Sequence, residues 1–349
     1  MAKAVGRVLW TPTLASTRPE RLKRALGYPY TRPPSSYVLI RQTPYCFEDR
    51  AWTGAADFEG LNVRKLDSGS PSDSGWLRAN DAIENECVSW TSGGGEGWTP
   101  VLAIGSNAAH SQLCRKYPSN IFPDGVIIPV VRCVLHDFDV CYAPIITSYG
   151  SVAATLHPSE GTAVELYVTY LDDKALEHMH KTEGAYDLQE LSGINLEVGT
   201  SQEAQMRGLE PAMKLSSVLV YVHQQGAVRL PCRGDQQPVA LSEINAQRRR
   251  FPHLPQTGLQ SAIRLCLGDH AADAMAGLKD LPIWPAGELP GDETPKDSDA
   301  LHNWVLRNIE DEDVRRAYLP RLAATAELFQ FLGAQKLSSL GDMYSANVK

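Results

Sequence analysis

The stretch VLAIGSNAAHSQLCRKY, residues 101–117, decides the fold, because three kinds of local order follow one another in it. Val101 to Ile104 is apolar and strand-like, Gly105-Ser106-Asn107 is a turn, and Ala108 to Tyr117 has the composition of a helix. Gly105 lets the backbone turn tightly. The amides that follow it point outward at the positive end of a helix, which makes a cradle for a carboxylate or an oxyanion. The same three residues also serve as a plain strand-to-helix connection, with Ser106 or Asn107 capping the helix.

Downstream the pattern is β-rich as far as about Leu230. VIIPVVRCVL, DFDVCYAPII, VAATLHP, TAVELYVTYL and SSVLVYVHQ read as strands separated by short Gly-, Pro- or Asp-containing gaps. One helix interrupts them, from the Asp172/Asp173 pair, which suits an N-cap, to Glu183, with Gly184 closing it. A carboxylate in the last helical turn faces the negative end of the dipole, where a cation is the stabilising choice. Such a misplaced charge, once partly buried, is suited to general acid/base work; alone, a Glu at this point is more often a solvated surface residue. A further helix starts near Gly258. A mostly helical tail runs from about Ser298 and is expected to break at Pro320. Upstream, Arg18 to Leu26 reads as a helix, and the proline-rich YPYTRPPSSYVLI as a loop feeding a strand at Tyr37 to Arg41. DSGSPSDSG at 67–75, SGGGEG at 92–97 and the linker PAGELPGDETPKDSD at 285–299 are turn-forming or exposed joints.

Taken in order, Ile104-Gly105-Ser106-Asn107-Ala108, RCVLHDFDVCYAP, YGSVAATLHPSEGTAVELYVTYLDD and KTEGAY (181–186) resemble the successive motifs of the γ-glutamylcyclotransferase superfamily. That family carries a Tyr-Gly-Ser-Asn-Leu loop after its first strand and a catalytic Glu in a Glu-Gly step after a later helix. The resemblance is close over residues 103–186 and extends over about residues 99–270. It implies an α+β fold: a cyclotransferase-like mixed β-barrel with flanking helices at 98–283, preceded by an irregular N-terminal extension (1–97) and followed by a helical C-terminal addition (284–349). It further implies Glu183 as general acid/base, with Ile104, Gly105, Ser106, Asn107 and Ala108 as the binding loop. Tyr149, Gly150 and Tyr186 are expected to line the pocket. The implied reaction is attack of a substrate's α-amine on its own γ-carbonyl, releasing 5-oxoproline and a free amine, with neither metal nor cofactor. An amidohydrolase using water on the same scaffold and a non-catalytic binding module are the alternatives. Two positions depart from the family loop, where Ile104 replaces its Tyr and Ala108 its Leu. A hydroxyl is therefore missing.

Composition trims the remaining classes. The 33 Lys+Arg against 41 Asp+Glu give a formal charge of −8, so no basic field draws in nucleic acid. No apolar run approaches the roughly 18 residues of a membrane span, and the start lacks a signal-peptide core; a cytoplasmic location is expected. The seven cysteines are scattered without a CxxC pair and are expected to be reduced and mostly buried. His178 and His180 are two apart and point away from each other on a helix, which is not the spacing of a zinc face. Arg248-Arg249-Arg250 reads as a solvated basic face that could instead receive an anionic substrate group. In the tail, Val314, Tyr318, Leu322, Leu328, Phe329, Phe331 and Leu332 form an apolar stripe, suited to packing on the core or to a homodimer contact.

Overall fold

A computed structural model of the chain describes residues 17–66, 75–89, 97–230, 236–268 and 298–339. Almost all of the turn-rich runs at 67–75, 92–97 and 285–299 lies outside the described residues, as does Cys232.

In chain order the elements are α1 (Arg18–Leu26), β1 (Tyr37–Ile40), β2 (Thr43–Cys46), β3 (Asn62–Lys65), β4 (Trp76–Arg78), α2 (Ala79–Asn85), β5 (Thr99–Ala103), α3 (His110–Lys116), β6 (Ile127–Ile146) and β7 (Val152–Leu171). Then come α4 (Asp173–Lys181), β8 (Tyr186–Val198), α5 (Gln202–Met206), β9 (Met213–His223), the two-residue strands β10 (Ala240–Leu241), β11 (Ala246–Gln247) and β12 (His253–Leu254), and α6 (Gln256–Leu267). Helices α7 (Ser298–Glu310) and α8 (Glu312–Ala324) and strand β13 (Ala334–Ser339) complete the described chain.

Five strands close on themselves. β5 lies antiparallel to β7 and parallel to β9, β9 pairs with β8, β8 with β6, and β6 with β7, so the ring β5-β9-β8-β6-β7 has no free edge. This is the α+β architecture with a mixed barrel that the sequence suggests. β6 and β7 each run for 20 residues and are buried along almost all of their length. A register shift between His136 and Phe138, with Asp137 at φ 66°, lets the long hairpin bend at that point. β1 adds to the Ile127 end of β6, and β2, β3 and β4 follow it, so the N-terminal residues extend the same sheet.

Alternation along the strands sorts side chains into two cores. Leu102, Ile104, Val168, Val220 and Val222 point into the larger one. Val101, Ala103, Tyr167 and Tyr221 point the other way, where Leu113 and Tyr117 from α3 and Ala175 and Met179 from α4 cover them. α1 and α7 meet over the β6–β7 turn. Arg21 pairs with Glu310, the Ser151 hydroxyl donates to the Ala25 carbonyl, and a Cβ on Gly150 (φ +87°) would press on Ile309 and Ala25.

The tail differs from its sequence reading in three ways. The helical break falls at Asp311, which caps α8, and α8 runs on through Pro320. The stripe is divided, with Tyr318 and Leu322 buried, Val314, Phe329 and Phe331 packed against the core, and Leu328 and Leu332 exposed. The chain then turns into β13, which pairs with β8. Among the cysteines, Cys46, Cys133 and Cys141 are buried free thiols, Cys114 is half-buried and Cys87 exposed. Cys266 is disulfide-bonded, which corrects the expectation of seven reduced thiols. No described helix is long and apolar enough to cross a membrane.

Candidate active site

At one end of the barrel, between the β5–α3 connection, the start of β7 and the α4–β8 turn, lies a cavity of about 260 Å³. Ile104, Gly105, Ser106, Asn107, Tyr149, Glu183 and Tyr186 all line it. Ala108 does not; it is fully buried beneath the loop, against α3. Gly150 does not either, because it serves the packing of α1 and α7 on the β6–β7 turn.

Glu183 sits just past α4 rather than in its last turn. Asp172 caps the start of the helix by accepting from the Ala175 amide at 2.7 Å, and the helix ends at Lys181, with Thr182 at its C-cap. The Tyr186 amide then donates to the Glu183 carbonyl at 2.9 Å, closing the turn into β8. The side chain turns inward, only 12% exposed. Its Oε1 accepts from Asn107 Nδ2 at 3.0 Å and from Lys116 Nζ at 2.5 Å, and its Oε2 has no hydrogen-bond partner among the described residues. A charge-assisted bond of this kind is short and strongly orienting. The carboxylate is thus gripped by one oxygen and open at the other.

Lys116 is the residue that sequence reasoning missed. It is 4% exposed at its side chain and lies at the far end of α3, where its ammonium also touches Met179 Sδ at 3.2 Å. A signal was there: Ala109, Gln112, Leu113 and Lys116 fall on one helical face, and all four are buried, so the lysine interrupts an inward stripe. Gln112 and Tyr221 also line the cavity. The Tyr221 hydroxyl is buried and has no hydrogen-bond partner among the described residues.

Tyrosines form the opposite wall. Tyr186 donates its hydroxyl to the Ala154 carbonyl at 2.9 Å, and the Ala154 amide donates to the Tyr28 hydroxyl at 2.9 Å. Tyr28 comes from the N-terminal segment, 77 residues before the loop by sequence number (105 − 28), and nothing local to it marks it as a pocket residue. The Arg24 guanidinium lies 4.7 Å from the centre of the Tyr149 ring. Burial pushes the phenols of Tyr28, Tyr149, Tyr186 and Tyr221 up, and the Glu183 charge adds to this at Tyr28, Tyr186 and Tyr221. At neutral pH these groups are therefore O–H donors. Burial likewise pushes the His180 imidazole down.

Other residues singled out by sequence lie in structural roles. Arg249 is bound to the buried Asp139, and Arg250 lies beside Glu160. His178 bonds the Lys116 carbonyl through its ring. Among the described residues there is no group of three or more His, Cys, Asp or Glu side chains placed to hold a metal ion.

No family model matches the chain, and no curated protein sequence matches it. Among solved structures, one described as a γ-glutamyl cyclotransferase aligns at 17% identity with a TM-score of 0.25, over 36% of this chain and 66% of its own. The chain thus spans just under two thirds of that protein.

Proposed function

We propose that the protein cleaves a small γ-glutamyl amide or peptide by intramolecular aminolysis. The observation that carries this reading is the Glu183 carboxylate, lining the cavity and held at Oε1 by Lys116 and Asn107 while Oε2 stays open. In the reaction, the substrate's α-amine attacks its own γ-carbonyl carbon as Glu183 Oε2 takes a proton from the nitrogen. The resulting tetrahedral adduct collapses with cleavage of the γ-amide C–N bond, and Glu183 returns the proton to the departing amine. The products are 5-oxoproline and a free amine, and no nucleophilic side chain is needed. Folding the substrate so that its amine faces its carbonyl contributes much of the rate, and proton transfer by a positioned carboxylate typically contributes 10²–10⁴-fold. A cavity of about 260 Å³ suits an amino-acid-sized acyl group, since drug-sized ligands occupy roughly 300–1,000 Å³.

Incubation of the full-length protein with a panel of γ-glutamyl amides and peptides in ¹⁸O-water, with mass spectrometry of the products, tests this. Unlabelled 5-oxoproline, lost in Glu183→Gln, is the expected result. Glutamate carrying ¹⁸O would replace aminolysis by hydrolysis, and no turnover of any member of the panel would remove the proposal.

A further inference from the structure

A tyrosine hydroxyl has one proton to give and two lone pairs to accept with. At Tyr28 the oxygen already accepts, because the Ala154 amide donates to it at 2.9 Å. The side chain is 4% exposed, it lines the cavity, and its own O–H has no acceptor among the described residues. The hydroxyl proton is therefore left for a partner in the cavity that Glu183 also lines. An amide feeding the oxygen polarises the O–H bond and makes it a better donor.

The loop itself comes up against this hydroxyl at Gly105. The Ala108 and Ala109 amides are used within the turn, on the carbonyls of Gly105 and Ser106. Gly105 is glycine for a steric reason, since a Cβ there would collide with the Tyr28 hydroxyl. The chain has Ile104 where the family loop has a tyrosine, and a hydroxyl returns to the site from an element well outside that loop.

We infer that Tyr28 is a catalytic residue: its hydroxyl donates to the carbonyl oxygen of the scissile amide and stabilises the oxyanion formed there, with the Ala154 amide acting through it. This rests on the aminolysis reading above. No covalent change occurs at Tyr28, because the proton stays on the phenol and the hydrogen bond shortens as charge grows on the substrate oxygen. Loss of one such donor typically lowers kcat about 10²–10³-fold.

The test compares full-length wild type, Glu183→Gln, Tyr28→Phe and a variant carrying 3-fluorotyrosine at position 28, all on the γ-glutamyl substrate that wild type turns over best. Tyr28→Phe is expected to lose about 10²-fold in kcat with KM changed little. Fluorination makes the phenol a stronger donor and a weaker acceptor, so a donating Tyr28 keeps kcat at or above wild type. A hydroxyl that only accepts the Ala154 amide gives the opposite result, with both kcat and Tm lowered in the fluorinated protein, and that would overturn the inference. So would wild-type kcat in Tyr28→Phe beside an inactive Glu183→Gln, a result that leaves the aminolysis reading standing. An inactive wild type, or an active Glu183→Gln, removes that reading and this inference together.

Discussion

Two buried ion pairs in this barrel are treated in opposite ways. Asp139, on β6, is fully buried and spends both carboxylate oxygens: Oδ2 takes Arg249 Nε at 2.9 Å, and Oδ1 takes Arg249 Nη2 at 3.2 Å and the Val140 amide at 2.8 Å. Glu183 also faces a buried cation, yet both of its donors crowd onto Oε1, and Glu183 lines a cavity together with Tyr221, whose hydroxyl has no partner among the described residues. The first pair is saturated, as buried polar groups ordinarily are. The second is left incomplete in a place where a small molecule can complete it. Saturation, and not the mere presence of a buried charge, is what distinguishes the two pairs.

The comparison is broken most directly by removing the negative charge from each pair in turn. Asp139→Asn leaves Arg249 buried without its counter-ion and is expected to cost about 3–5 kcal/mol of stability. Activity per folded molecule should be unchanged. Glu183→Gln also leaves a buried cation, Lys116, without its counter-ion and should cost stability of similar order, but here kcat should fall about 10³-fold. Denaturant titrations beside initial rates on the same preparations read both. Unchanged kcat in Glu183→Gln would show that Glu183 is as structural as Asp139.

Acid sharpens the contrast through His223, at the end of β9, whose ring stands edge-on to Tyr186 at 5.2 Å. Burial pushes its imidazole from 6.5 down to about 4, against a smaller opposing pull from Asp187. The folded protein therefore keeps His223 neutral in a window where the unfolded chain protonates it. In that window the unfolded state binds the extra proton, so stability is complete above about pH 6.5 and falls as pH drops towards 4. The loss reaches about 3 kcal/mol at the acid end. His157, His178 and His180 are shifted the same way by burial and add to the slope. Unfolding midpoints at pH 7 and pH 4.5 should differ less in His223→Asn than in wild type. An unchanged difference would assign the acid sensitivity to other groups.

How much of this was legible depended on whether each signal was local. The strands β5, β6, β7 and β9 were readable from apolar runs with Gly and Pro between them, and α4 from Asp172 at its cap, because both signals lie within one element; β8, with polar residues through YDLQELSGINLEV, was not. The closure of the barrel followed from the resemblance and from no periodicity, since pairing of β5 with β9 joins residues more than a hundred apart. Glu183 stood out because a carboxylate at a helix C-terminus is electrostatically misplaced, although the structure carries it one step beyond the helix. Lys116 was readable in principle from the stripe of Ala109, Gln112 and Leu113. Tyr28 was not, because what makes it a site residue is a contact with Gly105 and Ala154 that only the folded chain supplies. The expected roles of Ala108 and Gly150 were transferred by motif position, and packing places both outside the cavity.

The smallest expected effect belongs to Lys116, and it concerns how the open pair is held. If the ammonium fixes Oε1 so that Oε2 faces the substrate, Lys116→Met should lower kcat about tenfold, the rate equivalent of ~1.4 kcal/mol, with KM little changed. A long cationic side chain should restore part of the loss, so Lys116→Arg is expected to lie between Lys116→Met and wild type. Because Lys116→Met strands a half-buried carboxylate, the double variant with Glu183→Gln is needed beside it, and its stability should recover towards that of wild type. Lys116→Ala offers a further check, since the missing ammonium can be returned by adding a small primary amine to the assay. Recovery of kcat by the amine shows that the missing ammonium, and not a change in packing, caused the loss. A KM defect without loss of kcat would instead place Lys116 on the substrate's carboxylate.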